Sequence, residues 1–499
     1  MRLHFSPITR FAFFLVLAAL FAATSAVVLA YGFGYRYNFE RGIFIHSGSI
    51  TLKTSPQRVR VFVDGESVER KKVNFVDGSI TIDGLRPGPH TVSVSAPGFQ
   101  TWSKSVLIES GKTAEFWNVL LVQESHSPEQ VPDMRNVTGT FASPNEEFLA
   151  VASENNGELS VAILDADTFE SEQIFSSRDF FRTSNWRANI EWSPKRDFLL
   201  IPVFSRGTTP ENSFASPDEI FLVERENAAS IPFLEANNLD ALTGLRWGKN
   251  DDTLYALSQN TLLQFSLEQD EWVSEEIFED VEAYDISSSH LFVLRTNGIL
   301  YRSDDDGQNR RQISTSSPES FRADEAVSLN AYDENRIAAI TESGRLFLWN
   351  AGDLGSYTHT LESVTGMQFS NDGKKLLFWG DTFIRAYFFR EWDAQPKRQE
   401  DSFLDVGNFV SPISRVGWIE SYEHILYEHS GRLSIIELDH RDQRTAMNLS
   451  VTLSSNPSVT QLFSKDRLFF TAPNPNDGSE NILLHIPFLE SEGLFGFGR

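Results

Sequence analysis

The densest run of groups able to do chemistry is Ser303-Asp304-Asp305-Asp306-Gly307-Gln308-Asn309, with three consecutive carboxylates. Clustered carboxylate oxygens are the ligands that a calcium ion takes, so Asp304, Asp305 and Asp306 are the candidate metal-binding residues. Ordinary turn chemistry accounts for the same residues: an Asp-Gly pair suits a tight connection between two strands, because glycine accepts positive φ. Among the ten histidines, His424 and His429 form the closest internal pair. On a strand, a spacing of five puts them on opposite faces, which argues against a shared metal. The chain carries no phosphate-binding glycine loop, no His-Glu-x-x-His and no Gly-x-Ser-x-Gly. It has no cysteine, which excludes disulfides, cysteine-ligated zinc and thiol nucleophiles. No catalytic or cofactor-binding residue is assigned.

Charge narrows the partners. The net charge is −26, unevenly spread: residues 1–122 hold 13 basic and 8 acidic side chains, the remainder 30 and 61. Phosphate contacts need a basic face, so so acidic a body argues against nucleic acid. With 40% apolar and 12% aromatic residues, the 499-residue chain has the material for more than one core.

The elements that must position any site begin with Phe11 to Tyr31, an uncharged run of 21. A membrane-spanning helix needs about 20. Arg2 and Arg10 precede it, and Tyr31, Tyr35 and Tyr37 follow as interfacial aromatics. The expectation is an uncleaved signal-anchor with residues 1–10 in the cytoplasm and the bulk of the chain outside it, in contact with membrane lipid through the helix. The alternative is a signal peptide cleaved after Ala26, at the small-residue stretch Ala23-Thr24-Ser25-Ala26.

Residues 48–122 then alternate apolar and polar side chains. The runs Ser49–Thr54, Val59–Gly65, Ser79–Leu85, His90–Gly98, Trp102–Ile108 and Phe116–Val122 are expected as strands of a small β-sandwich. The pairs Asp64-Gly65, Asp77-Gly78 and Asp83-Gly84 are expected as turns. The run Val61-Phe62-Val63-Asp64-Gly65, followed by Leu85-Arg86-Pro87-Gly88 and the alternating stretch to Gly98-Phe99, resembles the PEGA domain. Of the namesake tetrapeptide only Pro56 remains in Pro56-Gln57-Arg58-Val59. The resemblance implies an extracytoplasmic structural or interaction module without catalysis. In it, Phe99 and Trp102 read as core plugs rather than ligand platforms.

Beyond an expected linker over residues 123–136, the chain repeats itself. Phe141, Trp192, Trp247, Tyr284, Ala331, Phe369, Trp418 and Phe463 each end or interrupt an apolar run before a polar turn and a second apolar run, at spacings of 37–55 residues. Such a period, with about four strands per unit, signals a β-propeller. Eight anchors predict eight blades over residues 137–490, or seven if one repeat is misphased, with ring closure by a segment before Phe141 and a tail over 491–499. Several third strands resemble the WD40-like repeats of TolB-type propellers, most closely Ile299 to Ser314. Ser303-x-Asp305-x-Gly307 in that repeat half-matches the Asp-box turn of some propeller glycosidases but lacks its following aromatic residue.

Three stretches break the regularity, at Ser205–Asp218, Glu391–Pro412 and Pro473–Glu480. Loops on a rigid scaffold are where binding usually lies. The fold class is thus all-β after one helix. The expected function is a membrane-anchored cell-envelope scaffold, without enzymatic activity, whose propeller loops bind a protein or a carbohydrate. Two alternatives differ in kind: a propeller hydrolase or lyase with carboxylates in the central channel, and a soluble TolB-like periplasmic assembly factor.

Overall fold

The structure, a computed structural model, describes residues 7–32, 35–38 and 43–488, other than Arg70, Phe75, 184–188, 211–213, Asp270, 288–289, Asp324 and 351–356. The tail expected over 491–499 and most of the expected cytoplasmic segment lie outside these residues.

A helix spans Pro7–Gly32. Its stretch Phe11–Ala30 is long and apolar enough to cross a membrane, and no part of it is buried against the protein. A two-stranded hairpin, Tyr35–Asn38 with Ile43–His46, follows.

The small domain is a sandwich of two four-stranded sheets. Gly48–Ser55 runs parallel to Thr113–Leu120 and antiparallel to Ile80–Leu85 in one sheet. Arg60–Val63, Gly88–Ser95 and Trp102–Ile108 carry the other. Alternation decides the packing: Val92 and Val94 are fully buried, while Ser93 and Ser95 face out. Asp64 and Gly65 both take positive φ and close a hairpin, as expected of that pair. Asp83-Gly84 does not form the expected turn. It lies within the strand Ile80–Leu85, opposite a register shift at Gly48 and Ser49, where the positive φ of Gly84 accommodates a bulge.

Eight further sheets form the propeller, each a four-stranded antiparallel meander or a close variant of one. Blades 1 to 7 occupy residues 137–177, 180–232, 243–278, 281–312, 327–361, 366–408 and 413–448. Blade 8 takes Val459–Leu462, Arg467–Pro473 and Asn481–Pro487, and its outermost strand is Glu129–Arg135. The segment expected as a linker therefore carries the strand that closes the ring. The stretch Glu391–Pro412, expected as an insertion, contains the outer strand of blade 6, Ser402–Asn408.

The repeated anchors have a physical reason. First strands of blades 2 and 3, 4 and 5, and 8 and 1 pack on one another, and three of the aromatic anchors tie their blade to the one before. The Trp192 indole donates to the Phe141 carbonyl at 3.0 Å, and Trp418 to the Gln368 carbonyl at 3.1 Å. The Tyr284 hydroxyl donates to the Gly244 and Tyr255 carbonyls of blade 3. The serine that follows recurs for a second reason: the hydroxyls of Ser143, Ser193 and Ser370 each accept the backbone N–H five residues on at 3.0 Å, which shapes the turn into the second strand.

Candidate functional site

The most heavily built polar site lies where the small sandwich meets blades 6 to 8. The strand Trp102–Ile108 alternates strictly, so Trp102 and Lys104 share the face turned inward. The side chain of Lys104 is fully buried and that of Glu437, on the third strand of blade 7, is 5% exposed; their charged atoms are 2.7 Å apart. Lys104 Nζ also donates to the Asp439 and Gln443 carbonyls at 2.8 and 2.7 Å. Glu437 accepts from the Trp102 indole at 3.1 Å and from the Thr445 N–H at 2.6 Å. An ammonium with three partners and a carboxylate with three is what makes burying the pair tolerable.

Other contacts surround this pair. Arg441 Nη2 donates to the Glu115 carbonyl at 2.7 Å and to the Asp439 carboxylate at 2.6 Å, and the guanidinium lies 4.0 Å over the Phe116 ring. Burial alone would raise the Asp439 carboxyl, but Arg441 and then Lys104 hold it below its usual value. Gln395 in blade 6 bridges the Thr113 carbonyl and the Glu115 N–H, at 2.9 and 3.1 Å. The apolar part is continuous: Trp102, Phe116 and Leu120–Val122 belong to one core with Ile419, Leu433, Ile435 and Met447 of blade 7. Trp102 is the core plug expected, and its indole nitrogen is also a tether to the propeller.

Residues 47–123 match the PEGA domain family. In this PEGA domain, Asp64 of the Val-Asp-Gly run accepts the Thr91 N–H at 2.9 Å and contacts His90 Nδ1 at 2.6 Å. The family signature therefore ties a hairpin turn to the neighbouring strand. No curated protein matches the chain in sequence. Solved structures similar to it include the Dos1 propeller, with a TM-score of 0.46 and 14% identity over 73% of this chain and 94% of that one. The β-propeller domain of Myceliophteria thermophila Cps50 (Swd1) gives 0.37 and 14% over 70% and 99%. Hsv2 from Kluyvelomyces marxianus gives 0.39 and 11% over 63% and 97%.

Away from the PEGA domain, the first strands of blades 2 to 5 carry a second charged network. Arg246 lies 2.6 Å from Asp285 and 3.8 Å from Glu191, and Asp285 Oδ2 accepts the Ala331 N–H at 2.7 Å. Burial raises both carboxyls above their usual values, with Arg246 opposing. This is the carboxylate pair that a channel hydrolase would need, but a guanidinium bridges it and both Asp285 oxygens are occupied. General acid–base work requires a carboxyl free to reach substrate. Position in sequence gave no signal of it, since the three residues are separated by 55 and 39 positions.

The calcium candidates stand in the connection between the strands Leu300–Ser303 and Arg311–Gln312 of blade 4. Asp304 accepts from the Asn309 amide at 2.6 Å, Asp305 pairs with Lys249 at 2.6 Å, and Asp306 accepts the Gln308 N–H at 2.9 Å. Each carboxylate serves a different protein donor around a positive-φ Gly307, the arrangement of a turn. Among the described residues, no three His, Asp or Glu side chains gather to hold a metal. His424 is buried and bonded to Ser421, whereas His429 contacts Ser411.

Proposed function

We propose that the chain is a single-pass, membrane-anchored cell-envelope scaffold. The PEGA domain is a rigid spacer that holds the propeller outside the cytoplasm, and the propeller binds a protein or glycan on its loops. The observation that carries this reading is the buried Lys104–Glu437 seam. A spacer that presents a scaffold in a fixed orientation needs a joint without a hinge, and buried, fully bonded charges supply one. The exposed apolar surface of Phe11–Ala30 supports the anchor.

Strand direction then points to the binding face. In an antiparallel blade, the first-to-second and third-to-fourth connections leave at one end and the second-to-third connection at the other. The PEGA domain touches Ile419, Asp439 and Gln443, on connections of the first kind. Ser205–Asp218 and Pro473–Glu480 join second to third strands in blades 2 and 8, so the described residues of these two insertions lie on the face turned away from the PEGA domain.

The test is fractionation and affinity capture with the full chain. The protein is expected in membranes resistant to alkaline carbonate, with its propeller open to protease added outside the cell. Capture from solubilised envelopes is expected to recover a partner that is lost when Thr208–Pro217 is replaced by a Gly-Ser linker. Recovery in the soluble fraction with Val27 as first residue would favour the assembly-factor alternative.

A further inference from the structure

A groove of about 390 Å³ runs between the PEGA domain and blade 7. Its apolar floor is Val119, Leu120 and Ile419. Trp117 stands in one wall, on the strand face opposite the core residue Phe116. Its indole N–H is held by the Glu115 carboxylate at 3.1 Å, which fixes the ring plane. Beside the hydroxyls of Thr54, Ser55 and Ser421, the polar groups on the two walls are Lys53 and Asn118 from the PEGA domain and Glu420 and His424 from blade 7.

These four groups have unused hydrogen-bonding capacity. No ion pair or side-chain hydrogen bond engages Lys53, Asn118 or Glu420 among the described residues. His424 is 5% exposed, and its Nδ1 lies 3.1 Å from the Ser421 hydroxyl. That hydroxyl oxygen also accepts the Glu423 N–H at 3.3 Å, and its second lone pair or its proton can serve Nδ1. Nε2 has no partner among the described residues. Burial, with Lys375 nearby, pushes His424 down to about 4, so the ring is neutral at pH 7, with one donor and one acceptor nitrogen. Glu420 is raised above its usual value by burial and by the Asp466 and Glu146 carboxylates beside it. The blade 7 wall of the groove is therefore acidic, with the Lys53 ammonium on the wall opposite.

We propose that this groove binds a neutral saccharide of one or two rings. A sugar ring has an apolar face to lay on Trp117 and hydroxyls at its edge that both donate and accept. Lys53 supplies donors, Glu420 an acceptor, Asn118 both, and the neutral His424 ring one further hydrogen-bonding nitrogen. A cavity of a few hundred Å³ at a domain junction, mostly apolar with a few convergent polar groups, is the usual form of a small-ligand site. The inference rests on the extracytoplasmic scaffold reading and locates its glycan-binding arm on the PEGA side, away from the Ser205–Asp218 face where protein capture is tested.

The experiment is calorimetric titration of the full chain in phosphatidylcholine nanodiscs with cellobiose, maltose, lactose and N,N′-diacetylchitobiose, and with trilysine as a cationic peptide. At least one disaccharide is expected to bind, about tenfold or more weakly after Trp117→Ala and severalfold more weakly after Glu420→Gln. Circular dichroism and Tm check that both variants fold; Trp117→Phe, which keeps an aromatic face, is expected to retain most of the binding. No binding by any of the four disaccharides overturns the proposal. So does equal binding by folded Trp117→Ala, or binding of trilysine alone, which would assign the groove to a cationic peptide. Any of these results leaves the membrane fractionation and the Ser205–Asp218 capture result standing, so the two readings fail separately.

Discussion

Lys104 of the PEGA domain and Glu437 of blade 7 form an ion pair, 2.7 Å apart, with their side chains 0% and 5% exposed. They are 333 positions apart in the chain, and neither domain holds the pair alone. Removing one charge from such a pair leaves the other buried without compensation, which costs more than the intact pair contributes. The seam thus makes docking of the two domains close to all-or-none.

Glu437→Leu is therefore expected to destabilise the protein by about 3–5 kcal/mol, read as a fall in the urea midpoint, and to make the 124–128 connection sensitive to protease. Adding Lys104→Met is expected to recover part of the loss. Recovery stays incomplete because the Trp102 indole and two carbonyls also lose their partners. A double variant no better than the single one would show that the charges are not coupled.

The Arg246 bridge gives a sharper test of structure against catalysis. Asp285→Ala removes the nearer of the two carboxylates beside Arg246 and the acceptor of the Ala331 N–H, and a loss of about 3 kcal/mol is expected. If Asp285 and Glu191 are blade staples, Asp285→Asn, which keeps the acceptor for the Ala331 N–H, should lower the urea midpoint by less. Glycosidase or lyase activity in the parent that vanishes in Asp285→Asn without loss of Tm would instead revive the hydrolase reading.

Stability is expected to fall in mild acid through His424. Its folded value, about 4, lies below the ordinary 6.5 because burial disfavours the charged ring. Between these values the unfolded chain takes up a proton that the folded chain does not, so folding weakens as pH drops from 6.5 to 4 and the contribution is fully present above 6.5. The shift is worth on the order of 3 kcal/mol. His424→Gln is expected to flatten this part of the stability–pH curve; a curve parallel to the parent's would reject the assignment.

Ring closure has its own weak point at Asn481. Its side chain accepts the Val137 N–H at 2.8 Å and donates to the Val137 carbonyl at 3.2 Å, and its carbonyl accepts the Asn136 N–H. Val131 and Met134 bury the closing strand against Leu483 and Phe469. Asn481→Ala is expected to cost about 1–3 kcal/mol and to speed hydrogen exchange across Glu129–Arg135 before other blades.

The chain's own sequence determined whatever a local period could encode. Alternation placed Val92, Val94, Trp102 and Lys104 on one side of their strands. The repeated anchors, seven aromatic residues and Ala331, counted the blades, and three of them, Trp192, Tyr284 and Trp418, each bond to the blade before. The run Phe11–Tyr31 marked the helix because its apolar length is contiguous. Tertiary structure decided what depends on distant partners. Lys104 reads as one more polar residue in an alternating strand until Glu437 is brought to it. Asp83-Gly84 has the composition of a turn, and only the register against Gly48 makes it a bulge. Glu129–Arg135 has linker composition, and its edge hydrogen bonds exist only once Asn481–Pro487 lies beside it. Local patterns are fixed by neighbours along the chain, whereas a buried charge, a bulge or an edge strand is stable only when folding supplies its partner.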